Sequence, residues 1–157
     1  MIITKDAYLR LLLLPSVPPE TGGLLGSHHG IIDTICIDRS CAFKEKAVYV
    51  PNVQYLNRQL LNWQKCGINF EGIFHSHPTN SPELSQDDKA YIQTIMQAMP
   101  LHFNKLYFPV ILPGEKITSF WADRRSGNLV SVVRDNIKII KYGGEDHDER
   151  NQKSGTY

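Results

Sequence analysis

Apolar positions recur along the chain with two periods, and the switches between them lay out its elements. "TKDAYLRLLLLP", residues 4–15, predicts a first helix, with Thr4 as cap and Pro15 just beyond its end. "PSVPPETGG" is a proline-rich connection. "GLLGSHHGIIDTICID" reads as two apolar strands joined by a polar turn, and "KAVYVP" as a third strand. In "NVQYLNRQLLNWQKCG", Val53, Leu56, Leu60 and Trp63 sit at helical spacing, and Cys66-Gly67 ends the segment. "INFEGIFHSH" is a strand. "SQDDKAYIQTIMQAMP" is a helix with Ile92, Ile95, Met96 and Met99 in one stripe. "LYFPVILP", "KITSFWAD" and "NLVSVVRD" predict three further strands, with turn signals at "PGE" and "RRSGN". Pro109 marks the first of these as an edge or irregular strand. "NIKIIKY" extends the last pair, and residues 143–157 are polar enough to predict a disordered tail. Strands and helices interleave without regular alternation. That predicts an α/β chain of the α+β sandwich kind, with a mixed, mostly antiparallel central sheet flanked by helices, as one domain over residues 1–142.

Composition narrows the function. A length of 157 residues fits one domain, and 41% hydrophobic with 21% charged residues is ordinary for a soluble globular protein. A net charge of +1 argues against a basic nucleic-acid surface. Cys36, Cys41 and Cys66 are odd in number and lack CxxC spacing, which argues against a disulfide framework or a thiolate zinc knuckle and for a reducing, cytoplasmic setting. "LRLLLLP" is too short to span a bilayer and carries Arg10, so it reads as a packed helix, and no membrane association is expected.

The chemistry concentrates where "INFEGIFHSH" ends. Residues two apart on a strand share a face, so His75 and His77 point the same way and can converge on one cation; neutral imidazole suits zinc. The competing reading is one core histidine and one hydrogen-bonded at the strand end. A third ligand is needed, and Asp88, in the first turn of the next helix, is the candidate. Ser85-Gln86-Asp87-Asp88 also matches a capping box with Ser85 as N-cap, so Asp88 has a purely structural alternative. Ser85 can cap the helix while its hydroxyl faces the pocket. A hydrolase needs a general base as well. Glu20, before "TGGLLG", stands at the entrance of a core strand, where Gly22-Gly23 permits close backbone approach; the alternative is a solvated loop carboxylate. His28, His29 and Ser76 are possible neighbours of the cleft, although "GSHHG" also reads as a polar β-turn.

"HSHPTNSPELSQDD" fits His-x-His, seven residues, Ser, two residues, Asp, and "PPETGGLLG" fits an upstream conserved-glutamate segment. With these residues the chain resembles a JAMM/MPN+ (JAB) zinc metalloprotease domain of the compact prokaryotic type, over about residues 1–135. The resemblance implies an MPN/cytidine-deaminase-like architecture and one zinc per chain, held by His75, His77 and Asp88 with a water in the fourth position. It implies Glu20 as proton acceptor and donor, and Ser85 as hydrogen-bond donor to the oxyanion. The implied activity is isopeptide or peptide cleavage after the C-terminus of a ubiquitin-like protein, with conjugation enzymes of the same system as partners. Rival readings are a peptidase acting on a sulfur-carrier-protein adduct, a non-catalytic scaffold of the same fold, a His-hydrophobic-His nuclease and a closed zinc-binding module. The polar Ser76 between the histidines, the low net charge and the lack of a cysteine near the motif count against the last two.

Overall fold

The computed structural model describes residues 1–38, 49–78, 81–124 and 129–141. In chain order the elements are β1 (Ile2–Thr4), α1 (Lys5–Leu12), β2 (Gly22–His28), β3 (Ile31–Ile37), α2 (Val53–Lys65), β4 (Asn69–Ser76), α3 (Gln86–Ala98), β5 (Lys105–Tyr107), β6 (Val110–Leu112), β7 (Lys116–Arg124), β8 (Val130–Asp135) and β9 (Lys138–Ile140). The expected tail, residues 143–157, lies outside the described residues. Among the described residues no helix is long and apolar enough to cross a membrane.

Alternation along the strands divides the core in two. Leu24 and Ile73 face one side of the sheet, where Leu56 and Trp63 of α2 and Ile92 and Met96 of α3 cover them. Leu25 and Phe74 face the other side, against Ala7 and Leu11 of α1. The nine strands among the described residues form one sheet. Its pairings are antiparallel for β2–β3, β2–β4, β5–β7, β6–β7 and β7–β8, and parallel for β1–β3, β1–β9, β4–β5 and β4–β6. This is the mixed, mostly antiparallel sandwich that the sequence predicts.

Local signals set the helix ends. Thr4 accepts from the Ala7 N–H to cap α1, and Asn52 accepts from the Tyr55 N–H to cap α2. Gly67, at φ +71°, follows the end of α2. Val53, counted with the apolar stripe of α2, is instead 62% exposed, while Leu56 and Trp63 are buried.

Four features depart from the sequence expectation. β1 is too short to show a period. Of "KAVYVP", residues 46–48 lie outside the described residues, and residues 49–51 form no strand. Of the two readings of Pro109, the edge fails and the irregular strand holds: it is buried, and it splits "LYFPVILP" into β5 and β6, which both pair with β4 and β7. Proline supplies no N–H to the ladder, but its carbonyl accepts from the His75 N–H, so the interruption sits inside the sheet. Finally, β9 does not extend the β7–β8 pair. It runs parallel to β1, with Ile3 opposite Ile139.

The approach of β2 to β3 is close. A Cβ at Gly23 would lie 2.0 Å from the Cys36 carbonyl oxygen and 2.8 Å from the Phe74 ring. Gly23→Ala is therefore expected to lower the unfolding free energy in urea by about 1–3 kcal/mol, the usual cost of overpacking. An unchanged midpoint would mean that the strands are not packed this tightly.

Candidate metal centre

β4 carries His75 and His77 to its C-terminal end on the face shared with Ile73, while Ser76 turns to the opposite face and is fully buried. His77 is buried and His75 half-buried. Their Nε2 atoms are 2.9 Å apart. Asp88, in the first turn of α3, brings Oδ1 to 3.2 Å from His75 Nε2 and Oδ2 to 3.5 Å from His77 Nε2. Four-coordinate zinc with bonds of about 2.0–2.1 Å requires donor atoms about 3.3 Å apart. The three separations lie near that value, with the two imidazoles reaching different Asp88 oxygens, so the group could hold one metal ion. The outer contacts agree: His77 Nδ1 lies 2.9 Å from the Ser81 carbonyl, so in the neutral imidazole the proton sits on Nδ1 and Nε2 has its lone pair for an ion, whereas without an ion a protonated Nε2 can donate to Asp88.

The two readings of Asp88 turn out to be compatible, because a carboxylate has two oxygens and several lone pairs. Asp88 Oδ2 accepts from the Ser85 N–H at 2.7 Å, and Ser85 Oγ accepts from the Asp88 N–H at 3.0 Å, which completes the capping box. The Ser85 hydroxyl also lies 2.7 Å from Asp88 Oδ2, so its hydrogen is engaged with the ligand set although the residue lines the cleft. Burial works to raise the Asp88 carboxyl, but its hydrogen bonds with His75, His77 and Ser85 outweigh this and hold it well below the usual carboxylate range. His77 is raised above the ordinary imidazole value. Its hydrogen bond with Asp88 contributes most, burial opposes it, and the Ser81 carbonyl and the charges of Asp88 and Glu20 add to it.

Glu20 lines the same cleft, a cavity of about 500 Å³ whose apolar floor includes Ile73, Leu84, Ile92 and Phe108. Its Oε2 accepts from the Tyr49 N–H at 3.0 Å, so it is not a free loop carboxylate. Ser76 is not a neighbour of the cleft. Its hydroxyl accepts from the Thr21 N–H at 2.8 Å, and its N–H donates to the Thr21 carbonyl at 2.7 Å, which fixes the residue next to Glu20 from the far face of the sheet. His28 and His29 are not neighbours either. β2 places Gly22 opposite His75 and Ser27 opposite Asn69, so the histidines lie at the other end of the strand, about 20 Å away at 3.3 Å per residue. There His28 pairs with Asp33 at 2.8 Å, and His29 takes φ +52° in the hairpin turn.

Sequence reasoning missed Tyr49 and Tyr91, which also line the cleft. Tyr91 stands three residues after Asp88 and shares its helix face, so the spacing could have found it. Burial and the charge of Asp38 push its hydroxyl up to about 12. Tyr49 lies in "KAVYVP", which the sequence reads as a strand, but residues 49–51 form none, so the predicted alternation gave no guide to where it points.

No protein-family model matches the chain, and no curated protein sequence matches it. Solved structures do. A protein of Desulfitobacterium hafniense is 19% identical with a TM-score of 0.66, over 90% of this chain and 94% of that one. A protein of Salinibacter ruber (strain DSM 13855) is 17% identical with a TM-score of 0.54, over 89% and 92%. A JAB1/MPN domain protein from Archaeoglobus fulgidus is 13% identical with a TM-score of 0.48, over 90% and 97%. The first two share the fold of this chain along most of its length.

Asp88→Ala removes a ligand and a cap together. It is expected to lose bound metal and to lower stability by about 1 kcal/mol. Ser85→Ala, losing only the cap, is expected to cost a similar amount in urea while retaining metal by elemental analysis; equal metal loss in both variants would contradict this division.

In metal-free protein the raised His77 contributes stability that is complete below about pH 6.5, its unfolded value, and is lost as pH rises through the folded value. The depressed Asp88 contributes stability that is complete above about pH 4 and is lost as pH falls. The melting temperature of chelator-treated protein is thus expected to peak between about pH 4 and 6.5. A melting temperature that climbs steadily to pH 8 would rule out the pairing.

Proposed function

We propose that this chain is a zinc-dependent isopeptidase or peptidase of the JAMM/MPN+ (JAB) kind. Its substrate is a ubiquitin-like or sulfur-carrier-like protein, cleaved after its C-terminus. The observation that carries the reading is the convergence of donors from His75, His77 and Asp88, with a further carboxylate, Glu20, in the same cleft but outside that trio.

In a site that keeps one position open, a bound zinc ion supplies Lewis acidity and a water whose pKa is near 7. With an ion held by His75, His77 and Asp88, Glu20 would accept the proton of the attacking water and pass it to the leaving amine. Ser85 donates to the oxyanion that develops on the carbonyl. Doing so requires its O–H to turn from Asp88 Oδ2 toward the substrate, while its lone pair still accepts from the Asp88 N–H.

Fusions of candidate ubiquitin-like proteins to a reporter test this reading. The zinc-loaded chain is expected to release the reporter at the modifier's C-terminus. Glu20→Gln is expected to reduce the rate by at least about a hundredfold, the ordinary contribution of a general base, with zinc content unchanged. Loss of zinc in Glu20→Gln would assign Glu20 to the ligand set, and equal rates would remove it from the chemistry.

A further inference from the structure

Two residues stand behind Glu20 that the mechanism above does not use. Asp38 lies just past the end of β3 and is 8% exposed. Its N–H donates to the Gly22 carbonyl at 2.8 Å, and its Oδ2 accepts from the Tyr49 hydroxyl at 3.0 Å and from the Asn52 N–H at 2.7 Å. Asn52 is the N-cap of α2. The Tyr49 ring rests on Gly22, where an added Cβ would come within 2.2 Å of it. The main-chain N–H of the same Tyr49 donates to Glu20 Oε2 at 3.0 Å. One buried carboxylate therefore anchors a side chain whose backbone holds the second carboxylate.

We propose that Asp38 and Tyr49 are positioning residues that aim the Glu20 carboxylate into the cleft. The inference rests on the reading of Glu20 as the proton carrier. Glu20 needs such a device. It follows Pro18-Pro19 in a segment outside the sheet, and its side chain has three torsions to immobilise, each with an entropic cost. A main-chain N–H bonded to a carboxylate is among the stronger neutral–ionic contacts, but it orients only if the donor is itself fixed. Tyr49 is outside any helix or strand, so its place is set by the ring on Gly22 and the hydroxyl on Asp38. Asp38 is in turn tied to β2 and to the start of α2, two elements of the rigid frame.

The test has one measurement on the metal-free full chain and one on the zinc-loaded chain. Amide exchange of residue 49, followed by ¹H–¹⁵N spectra, is expected to quicken about tenfold in Glu20→Gln, which weakens the acceptor, and by at least as much in Tyr49→Phe, which frees the donor. The amides of Leu24 and Leu25 should stay unchanged. Asp38→Asn keeps an acceptor without the charge and is expected to fall in between; it also replaces Tyr49→Phe if that variant does not fold. In the cleavage assay Tyr49→Phe is expected to lower kcat about tenfold at constant KM and zinc content. On a Glu20→Gln background it should add less than about twofold, since it acts through Glu20. Unchanged exchange at residue 49 in Tyr49→Phe, or a kcat loss that multiplies fully on the Glu20→Gln background, would overturn the proposal. If Glu20→Gln cleaves like the wild type, the proposed role of Glu20 fails, and the exchange data alone then decide whether the tether exists.

Discussion

Gly22 stands opposite His75 across β2 and β4, and the cleft is built outward from that pair. Two hydrogen bonds between Thr21 and Ser76 lock the register on one side, and the Asp38 N–H bonded to the Gly22 carbonyl locks it on the other. A side chain at either 22 or 23 would collide with Tyr49 or with the backbone of β3. The two glycines therefore bring three strands close enough that Glu20, two residues before Gly22, has to emerge beside the imidazoles. A one-residue slip of β2 would turn every side chain to the other face and send Leu24 and Leu25 into the wrong halves of the core. The packing of the sandwich thus enforces the placement of a residue that makes no contribution to the core.

Asp88 joins the second half of the site to the frame by a different device. A carboxylate in the first turn of a helix is favoured by the unpaired N–H groups there and by the helix dipole. Against the cost of burial, its hydrogen bonds with His75 and His77, and more weakly with the Ser85 side chain, keep Asp88 ionised, so it can ligate a cation without first losing a proton. Cap and ligand reinforce one another: helix formation presents the carboxylate, and a bound cation would hold the helix start against the end of β4. The stability of α3 and the affinity for metal are consequently coupled through one side chain.

Much of this was legible in the sequence because it follows from short-range periods. Alternation placed His75 and His77 on one face, the capping pattern placed Ser85 and Asp88 at a helix start, and the apolar stripe of Ile92 and Met96 placed that helix on the sheet. What could not be read depends on contacts across the chain. Ser76 looked like part of the motif because it lies between the histidines, yet the alternation that unites them sends it to the opposite face. His28 and His29 looked close only in composition, since the length of β2 separates them from the cleft. β9 continues the polar–apolar pattern of β8, and no local signal distinguishes pairing with β7 from pairing with β1. Ten residues lie between Asp38 and Tyr49 in the chain, and the strand predicted from "KAVYVP" gives no sign that the Tyr49 hydroxyl meets the Asp38 carboxylate.

The walls of the cleft limit what can enter it. Its floor belongs to the same apolar cluster that α2 and α3 bury, so it cannot deepen without opening the core. Its rim is polar, with Glu83, Ser85 and Asp87 exposed beside the donors, and Glu83 is paired to Arg134 by a surface contact of little energetic weight. About 500 Å³ accommodates a few residues of chain and excludes a folded domain. Under the proposed function, a peptide carbonyl would reach the donors and Glu20 from an extended segment rather than from within a folded domain. Under the proposed function, the flexible end of a small folded protein meets that requirement without unfolding, because its body can stay outside the rim while its last residues run in. On that reading the cleft would select for an accessible, extended terminus, and discrimination among proteins that share one would have to come from the surface around it.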